Sequence, residues 1–267
     1  MRFSLNQATT KHWPLAEMVA GCAEAGVGAV GLWREEVQEY GVQKAAALVR
    51  EAGLDVSSLC RGGFFDRQDS YDENRRALDE AATLGAPTLV LVSGGLGAGS
   101  RDLDGARARV GEAVGRLVPH ARQSGVRLAI EPLHPMFCSD RCVVSSLGQA
   151  LDLASPYPAD AVGVVVDTYH LWWDDQVWEQ IERAGRERRI ASFQLADWVT
   201  PLPAGVLLGR GLPGTGCIDL PRFARAVRAA GYDDHVEVEV FNAEVWARPG
   251  AQVLAEALAG YRACVEP

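Results

Sequence analysis

No stretch of this sequence approaches the roughly 20 consecutive apolar positions that a membrane-crossing helix needs. Runs such as Val162-Gly163-Val164-Val165-Val166 are a fraction of that length. Positive charge is also in short supply: 26 Lys+Arg stand against 35 Asp+Glu, for a formal net charge of -9. A chain with this balance lacks the basic face that neutralises phosphates, so no nucleic-acid partner and no anionic membrane surface is expected. The opening MRFSLNQATT has one basic residue and no apolar stretch, so it does not read as a secretion signal, and the expected location is cytoplasmic. There is no Cys-x-x-Cys pair among the six cysteines, which read as reduced thiols. Cys138 and Cys142 are spaced for a soft metal, but no second Cys/His pair follows them. No G-x-G-x-x-G follows the first strand, which removes the marker of a dinucleotide-binding open sheet. The run Gly94-Gly95-Leu96-Gly97-Ala98-Gly99 is followed by no P-loop lysine and reads as a flexible loop.

What is there is alternation. Hydrophobic residues make up 48% of the 267 positions, enough for a substantial core. Short β-branched runs predict strands at 3–6, 29–33, 55–60, 88–93, 127–131, 163–167, 190–195 and 235–241. Ala-rich amphipathic stretches predict helices near 14–25, 39–52, 72–84, 104–124, 146–154, 175–188, 219–230 and 250–263. Gly53, Gly85, Gly125 and Gly231 each stand where a helix must stop before a strand. Pro14, Pro221 and Pro249 stand at helix starts. Strands that read as continuous apolar runs are covered on both faces, as in a parallel sheet. Eight strand–helix units in a chain of 267 residues predict an α/β (β/α)8 TIM barrel, one domain over 1–267. No linker or low-complexity segment divides it. The longest irregular stretches, 132–145 and 196–218, each follow a strand and therefore lie at the C-terminal mouth, where such loops carry function.

The strand ends carry the chemistry. The fifth ends Leu128-Ala129-Ile130-Glu131, the sixth Val165-Val166-Asp167, the seventh Phe193-Gln194-Leu195, and the eighth reads His235-Val236-Glu237-Val238-Glu239. In a barrel these three carboxylates and one amide converge. Burying three anions together is prohibitive without a cation. Oxygen donors with no thiolate suit a hard or borderline divalent ion. Glu239, nearer the mouth than Glu237, is the strand-eight ligand, and Glu237 is placed one layer deeper in support.

These segments, with Glu131-Pro132-Leu133-His134-Pro135, Asp167-Thr168-Tyr169-His170 and Gln194-Leu195-Ala196-Asp197, make the sequence resemble the xylose-isomerase-like TIM barrels of the sugar phosphate isomerase/epimerase superfamily. The resemblance spans essentially the whole chain. It implies one divalent metal ion, Mn2+ or Mg2+ first and Co2+, Fe2+ or Zn2+ as alternatives, held by Glu131, Asp167, Gln194 and Glu239. Many such barrels have His on strand seven. Gln194 instead resembles hydroxypyruvate-isomerase-like members and makes the site harder. The resemblance further implies Glu131 and Glu239 as the catalytic acid/base pair, moving a proton at the carbon next to a carbonyl through a metal-stabilised enediolate. The substrate it implies is carbohydrate-like: a ketose, ketocyclitol or related hydroxy-ketone. The alternative outcome on the same site is β-elimination, a lyase or dehydratase acting on a keto-sugar, inosose or keto-glycoside.

His134, His170 and Arg210 are the polar substrate-binding candidates, His170 from the Asp-x-x-His segment and Arg210 from Gly209-Arg210-Gly211-Leu212-Pro213-Gly214. Trp13, Phe64 and Trp172 are the apolar ones, placed by the pattern near the mouth. Arg61 and Arg141 follow the third and fifth strands and either would meet an anion, but no basic cluster requires a phosphorylated substrate. A trinuclear-zinc DNA-repair endonuclease on the same fold is excluded by five His and the acidic balance. A binding subunit without turnover is the non-enzymatic alternative. The resemblance implies homodimers or homotetramers, and no heptad in the sequence specifies an assembly.

Overall fold

β-branched and Leu side chains set the sheet: Thr88–Val92 and Val162–Asp167 are buried at every position, so both faces of each strand are covered. A computed structural model describes residues 1–266. The barrel strands are β1 (Arg2–Asn6), β2 (Ala29–Trp33), β3 (Asp55–Gly63), β4 (Thr88–Val92), β5 (Arg127–Glu131), β6 (Val162–Asp167), β7 (Ile190–Leu195) and β10 (His235–Val238). They close in the order β1-β10-β7-β6-β5-β4-β3-β2, with parallel pairing throughout. The remaining two, β8 (Asp197–Trp198) and β9 (Arg210–Gly211), pair antiparallel above β7.

The main core lies between strands and helices, where Leu5, Leu32, Leu89, Leu128, Val164 and Phe193 are fully or almost fully buried. A smaller set, Cys60, Val90, Ala129 and Val165, packs together on the opposite strand faces. Alternation along a strand puts these two sets on opposite sides, so the same strands that feed the core present Glu131, Asp167 and Gln194 inward. Register holds the last two level: Asp167 pairs with Gln194, and Gln194 pairs with Glu237.

Gly53, Gly85, Gly125 and Gly231 all sit at positive φ, between 67° and 88°, as their place after a helix requires. Three expectations need correction. The stretch 39–52 is not one helix. Arg34–Tyr40 and Val42–Glu51 are separate, broken by Gly41 at φ 96°. The eighth barrel strand ends its ladder at Val238 rather than continuing to 241. Glu239 still hangs on the sheet through its N–H to the Leu195 carbonyl (3.2 Å), but Val240 donates instead to Thr9 Oγ1 (2.9 Å). The stretch 196–218 is not irregular throughout, because β8 and β9 staple its two ends. Two-residue strands are too short to leave a readable alternation. The glycine run after β4 is tied down as well: Gly94 accepts from Val143 N–H (2.9 Å), and Leu96 donates to the Ser139 carbonyl (3.0 Å).

Among the described residues no helix is long and apolar enough to cross a membrane.

Candidate active site at the mouth of the barrel

Each acidic side chain of the site is delivered by a strand end. Glu131 closes β5, Asp167 closes β6, Gln194 lies one residue before the end of β7, and Glu239 follows β10 directly. All four are buried, at 5, 0, 0 and 3% exposure. Asp167 divides its oxygens. Oδ1 accepts from Tyr169 N–H (2.7 Å) and caps the short turn Thr168–Leu171, while Oδ2 accepts from Arg210. Glu237 sits deeper and accepts from Asn6 Nδ2 (2.9 Å).

The cation among them is Arg210. Its Nη1 lies 2.8 Å from Glu239 Oε2, 3.2 Å from Asp167 Oδ2 and 3.2 Å from the Glu239 carbonyl. The guanidinium rests against the rings of Tyr169 (5.0 Å) and Phe241 (4.8 Å). β9 delivers it. Asn242 Nδ2 holds the Arg210 carbonyl (2.9 Å), and the Asp197 carboxylate gathers the following loop through the N–H groups of Gly214, Gly216 and Ile218. Asp197 is thus a positioning residue whose anchoring role leaves no sign in local sequence.

The electrostatics follow from burial. Two of the three buried carboxylates share one guanidinium. Burial, reinforced by Glu239 and Asp167, holds the Glu131 carboxyl well above its ordinary range. Burial lifts Glu239 to about 7 against the pull of Arg210, and lifts Asp167 as well. Burial works against a charged Arg210, but Asp167, Glu239 and Glu131 outweigh it and keep the guanidinium charged.

His170 is fully buried, with Nδ1 accepting from His134 N–H (3.1 Å) and Nε2 3.0 Å from Arg210 Nη2. A neutral imidazole has one lone pair, and here both nitrogens face N–H donors. It can accept from only one of them, and Asp167 Oδ2 lies 3.8 Å from Nε2. Burial and the neighbouring Arg210 push His170 well below its ordinary value, so it stays neutral.

Both amide atoms of Gln194 are buried with no hydrogen-bond partner. An orphaned amide carries a desolvation penalty, and this one stands on the ladder level with Asp167 and Glu237. Ligand atoms of Glu131, Asp167 and His170 lie within 4.8 Å of one another. The donors fit a hard divalent cation: Arg210 pairs with Asp167 and Glu239 but not with Glu131, and Gln194 Oε1 is, among the described residues, a free neutral oxygen donor.

A cavity of about 20 Å3, bordered by Glu131, His170, Arg210, Glu239, Arg61 and Arg141, lies at the centre. It has room for an ion or one water. Of the aromatic candidates, none of the three named lines it. Trp13 lies across Gly21 and Gly250 between helices, where a Cβ on either glycine would strike the indole. Trp172 packs on Trp198 (5.3 Å) behind the site. Phe64 stands beside Arg61 in an adjoining cavity. Trp33 and Phe241 form the apolar wall instead. His134 is half-buried against Trp198 and Trp173 and reaches the site through His170.

Fold and site together define a parallel (β/α)8 barrel with a buried carboxylate cluster at its C-terminal mouth. The chain belongs to the xylose isomerase-like TIM barrel family, whose pattern it matches over residues 19–264. It is 31% identical over 129 residues to an inosose isomerase of Bacillus velezensis, a match covering 47% of this chain and 44% of that relative. The chain therefore spans less than half the length of that curated relative. A solved structure, protein SMc04130 from Sinorhizobium meliloti 1021, is 45% identical with TM-score 0.95 over 98% of each chain. The IOLI protein, solved with a bound zinc atom, superposes with TM-score 0.84 at 21% identity, covering 100% of this chain and 98% of that one, and shares the fold.

Proposed function

We propose that the protein is a divalent-metal-dependent isomerase or epimerase of a carbohydrate-like hydroxy-ketone. The observation that carries this reading is the donor set at the mouth: three buried carboxylates, of which Arg210 pairs with only two, and an unpartnered buried amide. Glu131, Asp167, Gln194 and Glu239 would hold the ion, of the Mn2+ or Mg2+ type. When bound, such an ion polarises the substrate carbonyl and stabilises charge on its oxygen.

The chain's own residues supply the rest. Glu131 and Glu239 come from β5 and from the end of β10, with β6 and β7 between them in the barrel order. They approach the substrate from different sides, one removing the proton beside the carbonyl and the other returning it. Burial that raises both carboxyls brings them toward the range where proton transfer at neutral pH is effective. Arg210 orients Glu239 and Asp167 through a single nitrogen. His170 stays neutral, and His134 fixes its ring. Trp33 and Phe241 keep bulk water from the reacting carbon. The partial match to an inosose isomerase is consistent with a cyclic or open-chain polyhydroxy-ketone.

The test is solvent exchange. Protein prepared with Mn2+ is incubated with ketoses and ketocyclitols in D2O and followed by NMR and mass spectrometry. The expected result is deuterium at a carbon next to the carbonyl with the skeleton intact. Loss of water or of an aglycone would move the assignment to a lyase. Absence of exchange from a metal-loaded protein across the panel would overturn the isomerase reading.

A further inference from the structure

The central cavity is smaller than any substrate of the proposed reaction. About 20 Å3 holds one ion or water, whereas pockets that enclose small organic ligands run to about 300–1,000 Å3. Glu131, Glu239 and Arg210 are therefore sealed in a closed state, and part of the border must retreat before a hydroxy-ketone reaches them.

Most of that border cannot move alone. Trp33, Cys60, Val92 and Glu131 ride on barrel strands, and Arg141 belongs to a loop pinned through its own N–H to the Phe137 carbonyl (3.0 Å). Leu207 is different. It comes from the strap 199–209 between β8 and β9 and stands in the single turn Val206–Leu208. The strap's main-chain bonds close within it: Val199 N–H to the Gly209 carbonyl (3.4 Å), Leu208 N–H to Gly205 (3.0 Å) and Gly209 N–H to Val206 (3.0 Å). Leu202 and Val206 rest half-buried on the core, Leu207 lies outside that packing, and Leu208 is exposed.

Among the described residues one hydrogen bond ties the interior of the strap to the barrel: Tyr169 Oη donates to the Val206 carbonyl (2.5 Å). Tyr169 is fully buried and touches both feet of the strap. Its ring stacks on Trp198 of β8 (4.9 Å between centroids), and the Arg210 guanidinium of β9 lies over it (5.0 Å). Its N–H holds Asp167 Oδ1 (2.7 Å). Packing around this bond is tight, since a Cβ on Gly209 would stand 2.9 Å from Leu202 and 3.1 Å from Tyr169 Oη.

We propose that residues 199–209 form a lid over the reaction site, latched by Tyr169 Oη on the Val206 carbonyl, with Leu207 withdrawing to admit substrate and returning to roof it. Opening breaks one hydrogen bond and lifts a few half-buried side chains, so it draws on the low end of the protein's local stabilities. Closing shuts out bulk water and sets Arg210, the first residue past the strap, against Glu239 and Asp167. What passes the lid rests on the isomerase reading, whereas the opening itself does not.

The experiment is thiol labelling of the full chain in EDTA with N-ethylmaleimide, each cysteine being followed by mass spectrometry of its peptide. Cys60 is buried and borders the central cavity, so the reagent reaches it when the roof lifts. Cys22, buried in the main core, reports global opening, and exposed Cys217 reports free reactivity. In the parent, Cys60 is expected to label more slowly than Cys217 but about tenfold or more faster than Cys22. Tyr169→Phe keeps the ring and removes the latch. It should speed Cys60 about fivefold or more and leave Cys22 within about twofold of the parent. Leu207→Ala changes a side chain outside the core, so its fold is retained. It should speed Cys60 in the same selective way, and the test holds even if Tyr169→Phe is unstable. Cys60 labelling at the rate of Cys22 in the parent overturns the proposal. So does labelling of Cys60 unmoved by Leu207→Ala, or raised only together with that of Cys22. Failure of the D2O exchange with selective Cys60 labelling intact would overturn the isomerase reading alone.

Discussion

Arg210 Nη1 and Glu239 Oε2 lie 2.8 Å apart, both side chains almost fully buried, and the same nitrogen reaches Asp167 Oδ2 at 3.2 Å. One guanidinium thus serves two of the three carboxylates at the mouth. It is carried there by a loop stapled to β8 rather than by a barrel strand. This pairing decides how the site behaves with and without a metal ion.

Arg210→Ala leaves Asp167 and Glu239 buried without their partner. Removing one member of a buried ion pair costs about 3–5 kcal/mol. Metal-free Arg210→Ala is expected to lose stability on that scale in urea titration. Added Mn2+ should raise its melting temperature more than that of the parent, because the ion then supplies the missing charge. An equal metal-induced shift in both proteins would count against the shared-charge account.

Gln194→Leu removes two orphaned polar atoms from a fully buried position. The metal-free protein should be as stable as the parent or slightly more so, since an unsatisfied buried amide costs about 1–3 kcal/mol. Mn2+ affinity, read by calorimetry, should fall by about tenfold or more. Gln194→His should retain metal binding. Loss of stability without loss of metal affinity would mean that the amide is structural.

Glu239→Gln keeps an oxygen to accept from Arg210 but cannot take up a proton. Deuterium exchange should drop by about 10²–10⁴-fold, the usual contribution of an acid/base group. The circular dichroism spectrum should be nearly unchanged, while the melting temperature falls somewhat because Arg210 keeps only Asp167 as a charged partner. Full activity in this variant would remove Glu239 from the acid/base pair.

The buried thiols contribute to how stability changes at alkaline pH. Burial pushes Cys22 up to about 12, and Cys60, Cys142 and Cys264 are also raised. An unfolded thiol ionises from its ordinary value of 9.0, whereas folded Cys22 keeps its proton to about 12. The native state therefore holds the extra proton in this window, and stability falls as pH rises from about 9 to 12. Each such thiol contributes a slope approaching about 1.4 kcal/mol per pH unit. Cys22→Ala should lower stability at pH 7 but show a shallower decline above pH 9. Parallel curves for the two proteins would remove Cys22 from the account.

Gly63 stands at φ 101° with Val92 O 1.9 Å from where a Cβ would be. Gly63→Ala must push β3 off β4 and displace Phe64 and Arg61 with it. A melting temperature lower by several degrees or more is the expected outcome, whereas Gly97→Ala, with open space around it, should cost only its backbone strain.

Much of this architecture is written locally. The strands at 29–33, 127–131 and 190–195 coincide with the observed β2, β5 and β7, because continuous apolar runs between Gly-capped helices have few other solutions. Helix ends at Gly85 and Gly125 were legible for the same reason: both residues adopt the left-handed conformation that glycine tolerates. The carboxylates were legible because strand ends in a barrel all point to one mouth. The aromatic candidates were not. Trp13 sits in the turn between the first strand and its helix, but which way that turn carries an indole depends on Gly21 and Gly250, the latter more than 200 residues away.

The sequence alone determined the barrel and the placement of Glu131, Asp167, Gln194 and Glu239 at its strand ends. Those features repeat with the period of the backbone, so local pattern suffices to place them. Only the tertiary structure decided that Arg210 threads between Asp167 and Glu239, that Gln194 is left without a partner among the described residues, and that Arg61 and Arg141 border one cavity, the first from a strand and the second from a loop. These depend on side chains brought together across long stretches of chain by barrel closure, and on how a dry interior balances charges that water would otherwise screen.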